Sequence, residues 1–285
     1  MSAKKVIVIT GASGGIGAAA ARRLHADGHT VVVAGRSPER TRAVSAELGV
    51  DGYVADFTRL DDVARLAAEL IAAYPRIDVL ANNAGGMFGP QTRTVDGFEK
   101  TFQINHLAPF LLTRLLLDTL IASRASVIQT SSTVRFTKQI DLADLDHDRH
   151  FDAVHAYGAA KLENILFTSE LHRRYHAGGL SAASFYPGNV VTNFGAEATS
   201  PVIRLVRRVA SNPIAQRVLF SSPEQGADQL VWLAEGTPGT DWQSGAYYYK
   251  RRASKPRNPQ ALDATLARGL WERSQELVAE RLPTR

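Results

Sequence analysis

The 285-residue chain contains no cysteine. That excludes a disulfide framework, a Cys-ligated zinc site and a thiol nucleophile. A reducing cytoplasm suits such a chain, and a cytoplasmic location is the expectation. Long hydrophobic runs are also missing: no apolar stretch approaches the roughly 18 residues of a membrane span. Lys4 and Lys5 precede a short apolar run. It is too short for a signal peptide and no cleavage pattern follows, so it reads as a first buried strand. Neither a membrane anchor nor a membrane partner is expected. No Gly, Ser or Pro run divides the chain, and no repeat or low-complexity tract is visible. With 45% hydrophobic residues, it has the material for one large core.

Charge of either sign dominates only weakly. Lys and Arg number 33 against 28 Asp and Glu, a net charge of +5. The basic clusters Arg207-Arg208 and Lys250-Arg251-Arg252 are short and lack interleaved stacking aromatics, so no nucleic-acid partner is expected. A basic balance fits a solvated face or long-range attraction of a polyanionic cofactor. The acidic loop DLADLDHDRH within residues 133–153 invites a calcium reading. It lacks the central Gly and terminal Glu of a calcium loop and reads as solvated loop, so no metal site is expected.

What is present is alternation. Short runs rich in Val, Ile or aromatics occur at 6–10, 31–34, 52–55, 78–81, 126–130, 182–186 and 245–249. Helical patterns fill 15–27, 38–48, 60–73, 98–122, 154–177, 224–235 and 260–281. This predicts a single-domain α/β fold: a Rossmann-type, doubly wound parallel sheet of about seven strands with helices on both faces. Residues 193–222, with Phe194, Val202, Ile203, Leu205 and Val206 together with Pro201 and Pro213, read as an inserted substrate lid.

Strand one runs into Thr10-Gly11-Ala12-Ser13-Gly14-Gly15-Ile16-Gly17 and then an Ala-rich helix. Gly11 permits the tight turn, Gly15 lets backbone approach a pyrophosphate, and Gly17 lets the helix pack closely on the strand. The helix N-terminus supplies N–H donors and the positive dipole end. The spacing, Gly-x-x-x-Gly-x-Gly, is not the better-known Gly-x-Gly-x-x-Gly. At the end of strand two, an NAD site places a carboxylate for the ribose 2′-hydroxyl. Here stands Arg36, which suits a 2′-phosphate and so points to NADP(H). Asp56 follows strand three, placed either to meet the adenine or to cap a helix.

Tyr157 and Lys161, four apart in a helical pattern, share one helix face. A cation beside a phenol stabilises the phenolate and lowers its pKa toward neutrality, making a general acid/base. With 8 Tyr and 7 Lys in 285 residues, such a pair arises by chance roughly 0.2 times per chain. The pair therefore needs company, and has it. Asn82-Asn83-Ala84-Gly85 follows strand four, and Asn105 sits in a long helix. Ser131-Ser132 end strand five, and Pro187-Gly188 follow strand six with Thr192 beyond. These are the carboxyl ends of strands, where open α/β sheets place their ligands.

The motifs TGASGGIG, NNAG, helix Asn105, Ser132, YGAAK and YPGNVVT together resemble the short-chain dehydrogenase/reductase family, over essentially the whole chain. The stretches INHLAPFLLT, AYGAAKLENILFTSEL and LWERSQELV resemble its retinol-dehydrogenase-like and protochlorophyllide-reductase-like branch. The resemblance implies catalysis by Asn105, Ser132, Tyr157 and Lys161. Tyr157 would protonate the carbonyl oxygen, Ser132 orient it, Lys161 hold the nicotinamide ribose, and Asn105 hold a relay water. Implied cofactor contacts are Gly11, Ser13, Gly14, Gly15, Ile16, Gly17, Arg36, Asp56, Phe57, Asn83, Ala84, Gly85, Tyr157, Lys161, Pro187, Gly188, Val190 and Thr192. His106 and His155 flank site residues but are expected to pack, since Tyr157 fills the base role.

The expected function is thus an NADP(H)-dependent oxidoreductase interconverting a ketone or aldehyde and an alcohol. Phe88, Phe136, Phe194 and Tyr186 predict an apolar pocket for a lipophilic, aromatic or polycyclic small molecule. A redox-sensing regulator that binds NADP(H) with little catalysis is the alternative, opposed by the intact Asn-Ser-Tyr-Lys set. Nucleotide-sugar epimerisation is disfavoured by the short C-terminal part. Monomers and homo-oligomers both occur in the family, and the sequence leaves the assembly open.

Overall fold

The computed structural model describes residues 4–135, 137, 139–190 and 220–281. Strand β1 (Val6–Thr10) feeds helix α1 (Gly15–Ala26), β2 (Thr30–Gly35) feeds α2 (Pro38–Leu48), and β3 (Gly52–Val54) feeds α3 (Leu60–Ala73). After β4 (Val79–Asn82) come α4 (Lys100–Phe102), a π-helical turn at Gln103–Leu107, α5 (Ala108–Leu115) and α6 (Leu117–Ala122). Then follow β5 (Ser126–Thr130), the long α7 (Ala153–Tyr175) and β6 (Ser181–Phe185). The described chain closes with α8 (Pro223–Glu235), β7 (Tyr247–Tyr249), β8 (Arg252–Ala253) and α9 (Ala264–Leu277).

The strands form one sheet in the order β3-β2-β1-β4-β5-β6-β7-β8, parallel except for the last pair. Strand alternation sorts the core into two layers. Val8, Val32, Leu80, Val127 and Ala182 point to one face, where α3, α5, α7 and α9 cover them. Ile7, Val31, Val79, Ile128 and Ala183 point to the other, under α1, Val44 of α2, and α8. The direction of winding reverses between β1 and β4, which opens a crevice at the carboxyl ends of those strands. Among the described residues, no helix is long and apolar enough to cross a membrane.

The fold is the expected doubly wound parallel sheet, with one strand added and one helix differing. The sheet has eight strands, because β7 turns back through Lys250 and Arg251 into β8. Both turn residues have positive φ, at 51° and 58°. A two-residue hairpin normally signals such a turn with Asn or Gly, so the sequence concealed it. The helix expected over 98–122 is interrupted. Pro109 has no N–H to give the Asn105 carbonyl, and the Ala108 N–H bonds instead to Gln103, five residues back.

Candidate active site

The crevice is a cavity of about 950 Å³ running from the α1 N-terminus to the α7 N-terminus. At one end the first turn of α1 has no side-chain cap, so its N–H groups remain available to an anion. Gly11 and Gly15 both have positive φ, 67° and 54°, which only glycine adopts without strain. Gly17 does not line the cavity. A Cβ there would stand 2.5 Å from the Gly11 carbonyl and 2.9 Å from the Ala12 Cα, so its absence lets α1 seat against the loop. Arg36 and Arg40 line the same end. Arg40 was not foreseen; it lies in the first turn of α2, whose N-cap Ser37 accepts from its backbone N–H at 3.3 Å.

Asp56 and Phe57 border this end too. Asp56 is not a helix cap: it accepts from the Thr58 N–H at 3.0 Å as a local turn. Asp96, from a distant loop, accepts from the Leu60 N–H that opens α3, at 2.8 Å.

The Asn83-Ala84-Gly85 loop is sewn to its neighbours. Thr10 Oγ1 accepts from the N–H groups of Asn83 (3.0 Å) and Ala84 (3.1 Å). Asn83 Nδ2 donates to the Thr10 carbonyl at 3.0 Å, and Thr130 Oγ1 donates to Asn83 Oδ1 at 3.2 Å. At Gly85 a Cβ would overlap Asn105 Oδ1 and come within 2.9 Å of Lys161 Nζ, so glycine is required for those two side chains to converge.

Asn105 is wholly buried and lies behind the cavity wall rather than on it. Its Oδ1 accepts from the Gly86 N–H (3.0 Å), and its Nδ2 donates to the carbonyls of Gly86 and Thr101 (2.8 Å each). The side chain clamps the loop. Its backbone carbonyl lacks the usual helical donor four residues on, because Pro109 has no N–H.

Helix α7 starts where Asp152 accepts from the His155 N–H at 2.8 Å. The helix delivers Tyr157 and Lys161 to the cavity wall, where Ser132 stands beyond the end of β5. The Tyr157 phenol and Ser132 hydroxyl share a hydrogen bond. Lys161 Nζ donates to the Thr130 carbonyl at 3.1 Å and lies 5.6 Å from the Tyr157 ring centre. Burial pushes the Lys161 amine down to about 7. Burial also pushes Tyr157 well up, and the Ser132 hydrogen bond only partly offsets this. Among the protein's own groups, the Ser132 hydrogen bond is the influence that lowers Tyr157 against its burial. Lys161 is itself desolvated, which disfavours its charged form.

Pro187, Gly188 and Val190 line the cavity. Thr192, Phe136 and Phe194 lie outside the described residues, as does the expected lid except for residues 220–222. Phe88 and Tyr186 border the cavity as expected, joined by Met87, Val134, Val154 and Phe220. Val154 is 40% exposed, an apolar side chain turned into the space rather than the core. These apolar positions carried no spacing signal in the sequence. His106 packs among Phe102, Phe110 and Phe167, bonded through Nε2 to Ser274 Oγ at 2.9 Å, and burial lowers it to about 3. It is a core residue. Among the described residues no cluster of His, Asp or Glu could hold a metal ion.

Residues 5–202 match the family described as short chain dehydrogenase. The "Putative daunorubicin C-13 ketoreductase DnrU" of Streptomyces sp. (strain C5) is 42% identical over 97% of this chain and 93% of its own length. Retinol dehydrogenase 14 of Mus musculus is 34% identical over 96% of this chain and 86% of its own. A solved structure from Mycobacterium Paratuberculosis aligns with a TM-score of 0.76 at 31% identity, covering 99% of this chain and 96% of that one.

Proposed function

Because the chain belongs to the short-chain dehydrogenase family of oxidoreductases acting at carbonyl and alcohol carbons, we propose that it is NADP(H)-dependent and acts on a lipophilic, aromatic or polycyclic ketone or aldehyde and its alcohol. One observation carries this reading. A single cavity joins an uncapped helix N-terminus with two arginines at one end to a Tyr157–Ser132 hydrogen bond beside buried Lys161 at the other.

The residues fit a dinucleotide. The open α1 N-terminus, with a Gly14 whose missing Cβ would touch nothing, suits a pyrophosphate. Arg36 and Arg40 suit the additional 2′-phosphate, where a carboxylate would repel it. When bound, the nicotinamide supplies the hydride. In the reducing direction Tyr157 donates its phenolic proton to the carbonyl oxygen, and Ser132 donates a hydrogen bond that orients the same oxygen. Lys161 holds the nicotinamide ribose, and its charge stabilises the phenolate left behind. The carbonyl of Asn105 holds the water through which Tyr157 regains a proton by way of Lys161. Met87, Val134 and Val154 give the substrate end its apolar character.

The test is a fluorescence titration with NADPH and, in parallel, NADH. NADPH is expected to bind at least about tenfold more tightly, and Arg36→Glu to abolish the difference. Tyr157→Phe should retain binding and lose turnover by roughly a hundredfold or more. A preference for NADH would sink the role given to Arg36. A Tyr157→Phe variant with full turnover would sink the catalytic assignment.

A further inference from the structure

Ser132 sits just past the end of a strand. The β5–β6 ladder runs out at Thr130 opposite Phe185, and its last bond is the Ser131 N–H to the Phe185 carbonyl at 2.8 Å. Ser131 Oγ then donates to the Lys161 carbonyl at 2.6 Å, tying this turn to α7. One residue on, the Ser132 carbonyl has left the sheet and has no ladder donor. A backbone carbonyl so placed, if unsatisfied, lets the segment rotate, and the hydroxyl on the same residue moves with it.

The donor comes from two strands away. Tyr247 on β7 is registered against Ser184 of β6, and its phenol donates to the Ser132 carbonyl at 2.9 Å. Two strand spacings amount to about 9.5 Å, so only a long side chain leaning over β6 closes the gap. Strand alternation separates the roles within the Tyr247-Tyr248-Tyr249 run. Tyr248 faces the opposite layer, closing its own turn with the Gln243 N–H at 2.7 Å. Tyr249 stacks on Tyr186 with ring centres 5.2 Å apart. Tyr247 alone bonds at the catalytic serine.

Resting on the reading of Ser132 and Tyr157 given above, we propose that Tyr247 is a positioning residue for the reaction, holding the Ser132 backbone so that its hydroxyl meets Tyr157 and the substrate oxygen. Ser132 is held from both sides, its hydroxyl by Tyr157 and its carbonyl by Tyr247. Removing the Tyr247 hydroxyl leaves ring packing intact and frees one end of this arrangement.

The experiment is a double-mutant cycle in the full chain: wild type, Tyr247→Phe, Ser132→Ala and the two combined, with Tyr157→Phe as reference. Turnover is measured with NADPH and para-nitrobenzaldehyde. Ionisation of Tyr157 is followed by tyrosinate absorbance of the NADP+ complex, each variant read against its own Tyr157→Phe counterpart. Tyr247→Phe should bind NADPH like wild type, lose about tenfold in kcat and shift the Tyr157 titration upward by about half to one pH unit. In the Ser132→Ala background it should change neither quantity further. Effects that add in full to those of Ser132→Ala, or no effect on either readout, overturn the proposal. Wild-type turnover by Tyr157→Phe would instead overturn the assignment of the site itself, and the role of Tyr247 with it.

Discussion

Two titratable side chains two residues apart on α7 show how position divides chemistry from cost. Lys161 is 3% exposed yet reaches the cavity wall, and burial lowers its pKa to about 7, in the range where a proton relay works. Glu163 is 1% exposed, faces away from the cavity, and leaves Oε2 without a hydrogen-bond partner. Burial first, then the charges of Glu99 and Asp146, push its carboxyl well above 4.5. A raised carboxyl pKa means that the native state binds the proton more tightly than the unfolded chain. Glu163 therefore costs no ionisation energy below about pH 4.5 and destabilises the fold increasingly as pH rises above that value. Glu163→Gln is expected to leave the melting temperature nearly unchanged near pH 4.5. It should raise it by several degrees at neutral pH, corresponding to about 1–3 kcal/mol. Melting curves across that range check it; an equal gain at both ends would show that packing, not ionisation, is responsible.

At the scale of elements, the β7–β8 hairpin turns on two residues poorly suited to it. Lys250 and Arg251 both adopt left-handed backbone, which costs a non-glycine residue roughly 1 kcal/mol each. Arg251 is held there from α8: its backbone N–H donates to Gln229 Oε1 at 3.1 Å, and its guanidinium pairs with Asp228. Among the described residues, no anchor of that kind holds the backbone of Lys250. Lys250→Asn is therefore expected to stabilise the protein by about 0.5–1 kcal/mol, and Arg251→Asn to give less or nothing because the Asp228 pair is lost. Chemical denaturation of the two variants separates them. The same hairpin marks where the sequence stopped being legible. The placement of Gly11, Gly15, Tyr157 and Lys161 along one cavity was readable because it depends on spacing within one strand–turn–helix or one helix face. The π-turn at Asn105 was half readable, since Pro109 four residues on announces a missing bond. The eighth strand, Arg40 beside Arg36, and the reach of Tyr247 to Ser132 were not read. They depend on an atypical turn, on which way a surface side chain leans, and on strand order, none of which a linear pattern encodes.

Over the whole molecule the charge balance is +5, and two of the arginines that produce it stand at the α1 end of the cavity. Arg36 and Arg40 are both exposed, so their field acts through water and is open to screening. A dinucleotide with a 2′-phosphate carries more negative charge than one without, and the function proposed above puts that charge beside these side chains. Its affinity should therefore depend more steeply on ionic strength. Raising salt from about 0.05 M to 0.5 M shortens the Debye length from about 14 Å to 4 Å. The Kd for NADPH is expected to rise by about tenfold over that range and that for NADH by about threefold. Arg36→Glu should bring the NADPH slope down to that of NADH, and Arg40→Ala should lower it part of the way. Parallel slopes for the two nucleotides in the wild-type protein would mean that the 2′-phosphate does not sit against these arginines. Discrimination would then have to come from uncharged contacts near Ser13 and Phe57, which border the same end of the cavity and respond little to salt.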